Sequence, residues 1–219
     1  MQMQLERQYN IHMSLGSVHR YMSILNIHSK RRRKYVPQKK ETQNLPHTFP
    51  NVLQQDFGAS FGHSKWLTDV TYLPCRDGTM YLSCIKDLCD KSIISYHISD
   101  KNDLRLVMET LAKATGRMRQ GTLLHSDQGS QYCSPVYHAF LREHGLIGSM
   151  SRKAMPYDNA PMESFFSILK NEELKLCRGF TMQQIRKRVE LFIYYYNNER
   201  PQWGLKKLTP VEFGGQFSA

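Results

Sequence analysis

KWLTDVTYLPCRDGTMYLSCIKDLCDKSIISYHI, residues 65–98, is the stretch whose reading decides the fold. In its first part Trp66, Thr68, Val70 and Tyr72 alternate with Leu67, Asp69, Thr71 and Leu73. That period of two belongs to a β-strand, here spanning about residues 64–73. Asp77-Gly78 is a strong hairpin-turn signal, and residues 80–88 (MYLSCIKDL) follow as a second strand. Asp90-Lys91 turns the chain again into SIISYHI, residues 92–98. The expectation is an antiparallel meander of three strands.

Downstream, Leu104, Val107, Met108 and Leu111 fall on one face of a helix expected over about 103–115. TLLH (122–125) is a short apolar strand, Ser134-Pro135 caps and opens a helix that stops near Gly145, and LIGSM (146–150) is a fifth strand. Strand–helix–strand order with short links implies parallel pairing and right-handed crossovers. The whole reads as an α/β fold: a five-stranded mixed sheet, a meander plus two parallel strands, flanked by helices.

Asp69 sits in the middle of the first strand, where an acid is costly to bury unless something pairs with it. Asp127 follows the fourth strand in HSDQGSQY (125–132), and Glu163 lies in YDNAPMESFFSILKNE (157–172), 35 residues intervening between the two. The Glu163 segment reads as a helix capped by Asp158 or Asn159, with Pro161 in its first turn. Met162, Phe165, Phe166 and Leu169 make its apolar stripe, and Glu163, Ser167 and Lys170 share another face. With 19 acidic residues in the chain the spacing alone says little, but two strands and a helix delivering three carboxylates would form a hard-oxygen site. Such a site suits one or two Mg²⁺ ions and phosphodiester chemistry.

Composition points the same way. The 219 residues carry a formal charge of +11, which argues for polyanionic partners, nucleic acid above all. The excess is concentrated: the first 60 residues hold nine basic against three acidic side chains. Residues 14–27 read as a short helix with Val18, Tyr21, Met22 and Leu25 on one face. The basic run Lys30, Arg31, Arg32, Arg33 and Lys34 follows it. Helix and run together read equally as the end of a helix-turn-helix that binds DNA or as a solvated linker. Residues 1–34 are therefore taken as a partial helix-turn-helix-like segment, 35–60 as linker, 61–176 as the core, and 177–219 as a C-terminal helix and tail.

Thr181 and Gln184 make a capping box for that last helix, with Phe180 and Ile185 as its hydrophobic staple. Its tyrosines at 194–196 are expected chiefly to pack the helix on the core, base stacking being the rarer use. Five cysteines without a Cys-x-x-Cys pair imply reduced thiols, and the nine histidines are not at zinc-finger spacing. With no 18-residue apolar run and no signal-peptide pattern at the N-terminus, a cytoplasmic, nucleoid-associated protein is expected.

KWLTDVTYL, LLHSDQGSQY, SMSRKAMPYDNAPMESFFSILKNE and FIYYYNNERPQWGLKKLTPVEF together carry a resemblance to one family that runs from about residue 17 to 213. It is the second-reading-frame (OrfB) type transposase of bacterial insertion sequences, whose catalytic core is similar to retroviral integrase. The resemblance implies an RNase H-like fold, Mg²⁺ or Mn²⁺ with two ions in the active complex, and cleavage and strand transfer of DNA. It assigns Asp69, Asp127 and Glu163 as the catalytic and metal-binding triad, and Lys170 to contact with the DNA end. It also implies a homo-oligomer on DNA, and fusion to an upstream-frame helix-turn-helix protein, since the family's chains carry a longer N-terminal region. Ala154 and Met155 replace the family's Gly-Asn before the proline, and Gln202 replaces a His. Two rivals stand beside this reading: an inactive DNA-binding remnant or regulator, and another RNase H-like nuclease such as a junction resolvase.

Overall fold

The computed structural model describes residues 1–28, 47–152 and 155–216. The meander forms as expected. Strand β1 (Lys65–Cys75) pairs antiparallel with β2 (Gly78–Asp87), setting Asp69 opposite Cys84 and Tyr72 opposite Tyr81. β2 pairs antiparallel with β3 (Ile93–Ser99). On the other side of β1 lies β4 (Leu123–Ser126), parallel to it, and then β5 (Ile147–Met150), parallel to β4. The sheet order is β3-β2-β1-β4-β5.

Alternation along the strands divides the core into two layers. On one face Leu67, Leu73, Leu82, Cys84 and Leu123 pack with Phe165 and Phe166 of α5 (Ala160–Ile168) and Val189 and Ile193 of α6 (Met182–Asn198). On the other, Trp66, Ile85 and Leu124 pack with residues of two helices. Val107 and Leu111 come from α3 (Leu104–Ala114), and Tyr137 and Leu141 from α4 (Pro135–Glu143). Each large side chain fully buried this way contributes about 1.5–3 kcal/mol. Ser134 caps α4, its side chain accepting from the Val136 N–H, and the Thr181–Gln184 capping box opens α6. Tyr196 is buried and Tyr194 exposed, so α6 places only part of its tyrosine run on the core.

Four features depart from the local reading. A first helix, α1 (Gln2–Tyr9), precedes α2 (Leu15–Ile24). Its sequence is too polar to announce a helix, and it is held from outside: Arg7 pairs with Glu212 at 2.5 Å and Glu6 with Lys207 at 2.9 Å. Second, of the apolar stripe expected on α2 only Val18 is buried; Tyr21 and Leu25 face water. Third, residues 47–60 lie against the core: Leu53 is buried, and the Phe49 ring stacks on His138 with centroids 4.0 Å apart. Gly148 of β5 makes room for that ring, since a Cβ there would come within 2.5 Å of it. Fourth, the Glu163 helix does not run on as one α-helix. It widens into a π-type turn at Leu169–Glu173 and tightens to a 3₁₀ turn at Leu174–Cys177.

The wide turn begins at Leu169, immediately before Lys170. The basic run Lys30–Lys34 lies outside the described residues. Among the described residues no helix is long and apolar enough to cross a membrane.

Candidate active site

β1 and β4 stay paired only through Leu67 and His125; beyond that rung β1 continues to Cys75 while β4 ends. Carried two residues further, the same register sets Asp69 across from Asp127. The two acids thus stand where the parallel strands part and a crevice opens, the usual ligand position in open α/β sheets. Asp69 lies between Leu67 and Leu73, on the face covered by α5 and α6. α5 crosses β1 there. Asn159, at its N-cap, donates from Nδ2 to the Thr68 carbonyl at 3.4 Å, and Lys86 Nζ donates to the Pro161 carbonyl at 3.2 Å. Glu163 is two residues beyond Pro161 on this helix. All three acids are half-buried.

The electrostatics place the first two acids near each other. The Tyr132 hydroxyl is fully buried, and burial, followed by the negative charges of Asp69 and Asp127, raises its pKa well above the ordinary phenol value. Lys170 belongs to the same neighbourhood: burial lowers its pKa, and Asp69 acts against that shift. Its Nζ lies 4.0 Å from the centre of the Tyr72 ring. Among the described residues no three Asp, Glu, His or Cys side chains are gathered into a ready-made metal-binding group.

Local chemistry aims the Asp127 side chain. Its Oδ1 accepts the Gly129 N–H at 2.9 Å, closing a turn typical of aspartate. A Cβ on residue 129 would lie 2.9 Å from that oxygen, so the turn needs glycine to keep the carboxylate where it is.

Two residues that the sequence did not mark as parts of the site hold this frame. Buried His125 bridges β4 to β5, with Nδ1 2.8 Å from Ser149 Oγ and Nε2 3.0 Å from Ser151 Oγ. Ser149 Oγ already accepts the Val52 and Leu53 N–H groups, so its own proton goes to Nδ1, and Nε2–H donates to Ser151. Burial pulls the pKa of His125 down to about 4, which leaves it neutral, a strut and not a proton carrier at ordinary pH.

Asp158, expected as a helix cap, is instead a clamp. Its fully buried carboxylate accepts from Asn51 Nδ2 (2.9 Å), Gln55 Nε2 (2.7 Å), the Arg152 N–H (2.9 Å) and the Arg152 guanidinium (3.1 Å). Burial would raise its pKa, but the bonds from Arg152 and Gln55 prevail and hold it at about 2. The clamp ties the segment before β1 and the end of β5 to the start of α5. The signal for His125 was its place inside the motif HSDQG; Asp158 was marked only as a cap candidate within YDNAP.

An integrase core domain model matches residues 62–156, and a second model of the same description matches 144–210. An uncharacterized transposase-like protein of Haemophilus influenzae is 41% identical over 171 residues, covering 78% of this chain and 79% of that one. The chain belongs to the insertion-sequence transposases with an integrase core. The putative transposase InsK of insertion element IS150 from Escherichia coli is 40% identical over 171 residues. The chain spans 60% of that relative's length and 66% of the IS904 transposase of Lactococcus lactis.

Among solved structures, the catalytic core domain of HTLV-2 integrase in complex with magnesium aligns with a TM-score of 0.57 at 14% identity. That match covers 72% of this chain and 99% of the integrase core. A chain of the simian T-cell lymphotropic virus intasome aligns with a TM-score of 0.63 at 15% identity, over 98% of this transposase chain and 74% of its own. At such identities the likeness is one of fold: the sheet is that of the RNase H-like integrase cores.

Proposed function

We propose that this transposase cleaves DNA strands and joins them to new sites, with Asp69, Asp127 and Glu163 holding divalent metal in the crevice between β1 and β4. The observation that carries the reading is the parting of those two strands beside α5, with half-buried acids on β1, just past the end of β4, and on α5. Three carboxylates are a hard-oxygen donor set that fits Mg²⁺ or Mn²⁺ and offers ligands for two ions. A bound ion there supplies Lewis-acid stabilisation at phosphorus and lowers the pKa of the attacking water or 3′-hydroxyl. Asp69 and Asp127, on rigid elements, set the position of the reacting phosphate, and Glu163 closes the site from α5. Lys170, beside Asp69, neutralises a phosphate oxygen of the bound strand. Working at the nucleoid as a homo-oligomer on DNA, and as a fusion with an upstream-frame helix-turn-helix, completes the reading.

The test uses a linear duplex carrying the sequences that flank the coding region. With Mg²⁺ or Mn²⁺ the chain should yield new 3′-hydroxyl ends and joined products, and chelation with EDTA should remove both. Products that persist in EDTA, or none with either ion, would sink the proposal.

The basic run Lys30–Lys34 is proposed to bind DNA through phosphates without regard to sequence. Replacing Arg31, Arg32 and Arg33 by Ala should flatten the slope of log affinity against log salt by up to about three units. A slope equal to the parent's would make the run a solvated linker.

A further inference from the structure

Beyond its last rung with β4, β1 continues for eight residues, 68–75. Tyr72 alternates with Asp69 and so leaves the strand on its other face; 61% of its surface is exposed, while its cross-strand neighbour Tyr81 is half-buried. One exposed aromatic is ordinary on a protein surface. This one differs in having the Lys170 ammonium 4.0 Å from its ring centre, closer than any other cation–ring contact among the described residues. The cation sits over the ring of a residue that is otherwise largely exposed. Tyr72 is three positions along the strand from Asp69, about 10 Å or three base steps of a DNA strand, and Lys170 lies near both.

A flat π-face at that distance, beside a cation suited to phosphate, matches an unpaired nucleotide. We infer that Tyr72 is a stacking platform for an unpaired nucleobase one to three positions from the phosphate that reacts at Asp69, Asp127 and Glu163. The inference rests on the DNA strand-transfer reading and adds a base-binding subsite to it. Stacking would hold a frayed strand end in the crevice and keep its backbone extended past the acids. It is tolerant of base identity, because every base presents a π-face.

The test compares a forked duplex, with 2-aminopurine at each of the first three unpaired positions in turn, with a blunt duplex of equal length. Affinity and fluorescence are read with the full chain in EDTA, so that no strand is cut. The parent and Tyr72→Phe should bind the fork and quench 2-aminopurine at one position. Tyr72→Leu should lose the quench and weaken fork binding roughly 5- to 100-fold while blunt-duplex affinity holds. Exposure of the side chain makes Tyr72→Leu a substitution the fold tolerates, which a melting curve checks. Parental quenching and fork affinity in Tyr72→Leu would overturn the platform alone. A parent that binds neither DNA would overturn both the platform and the strand-transfer reading beneath it.

Discussion

Glu163→Gln should reduce metal-dependent cleavage and joining by at least about 10²–10³-fold, the loss typical of removing one preorganised charge-stabilising group. Glutamine keeps the shape and one carbonyl oxygen but gives up the negative charge a divalent ion needs from its ligand. Position 163 is half-buried in the first turns of α5, where Gln and Glu have nearly equal helix propensity. The circular dichroism spectrum and the affinity for blunt duplex should therefore stay close to the parent's. The comparison is made on the flanking-sequence duplex, by quantifying 3′-hydroxyl ends and joined products over time. Parental rates in the variant would remove Glu163 from the triad and leave Asp69 and Asp127 without their third member.

Asp158→Ala should cost about 3–4 kcal/mol of stability, because it strips a buried carboxylate from five donors and leaves several of them unpaired. In a chain of this size that lowers Tm by roughly 6–16 °C. Asp158→Asn keeps acceptor capacity and loses the charge, so it should cost less, about 2 kcal/mol.

The same charge leaves a signature in acid. The carboxyl has a pKa of about 2 in the folded protein, below the ordinary 3.8, so its stabilisation is complete above pH 3.8 and drains away as pH falls toward 2. In that window the parent should lose about 2 kcal/mol that Asp158→Asn does not. Urea unfolding of both proteins between pH 2 and pH 5 measures the difference; parallel curves would mean that the clamp's charge contributes nothing. Because the clamp orders the start of α5, the Ala variant should also lose strand-transfer rate in excess of its unfolded fraction.

Much of this architecture follows from rules that look only a few residues along the chain. Alternation over 66–73, the Asp77-Gly78 turn, the Ser134-Pro135 start and the Thr181–Gln184 box are local devices, and each appears where it was expected. Asp69 was legible as an acid inside a strand. Asp127 and Glu163 were legible from the motifs around them, since distance along a chain does not say which acids meet. What local rules could not reach depends on partners remote in sequence. Asp158 has the composition of a cap, and it becomes a clamp because Asn51, 107 residues away, and Gln55, 103 away, arrive beside it. α1 is too polar to fold by its own pattern and forms against Tyr195, Lys207 and Glu212.

Lys170 was expected on the Glu163 face of its helix, but nothing local announced the Tyr72 ring that lies 4.0 Å from its ammonium. Sequence by itself determined the strands, their order of appearance and the acids they carry, because backbone sterics, alternation and turn chemistry act between neighbours. Only the tertiary structure decided where β1 and β4 part, what clamps α5 and which ring meets Lys170. Those outcomes are set by packing and charge between segments that the chain brings together only when it folds.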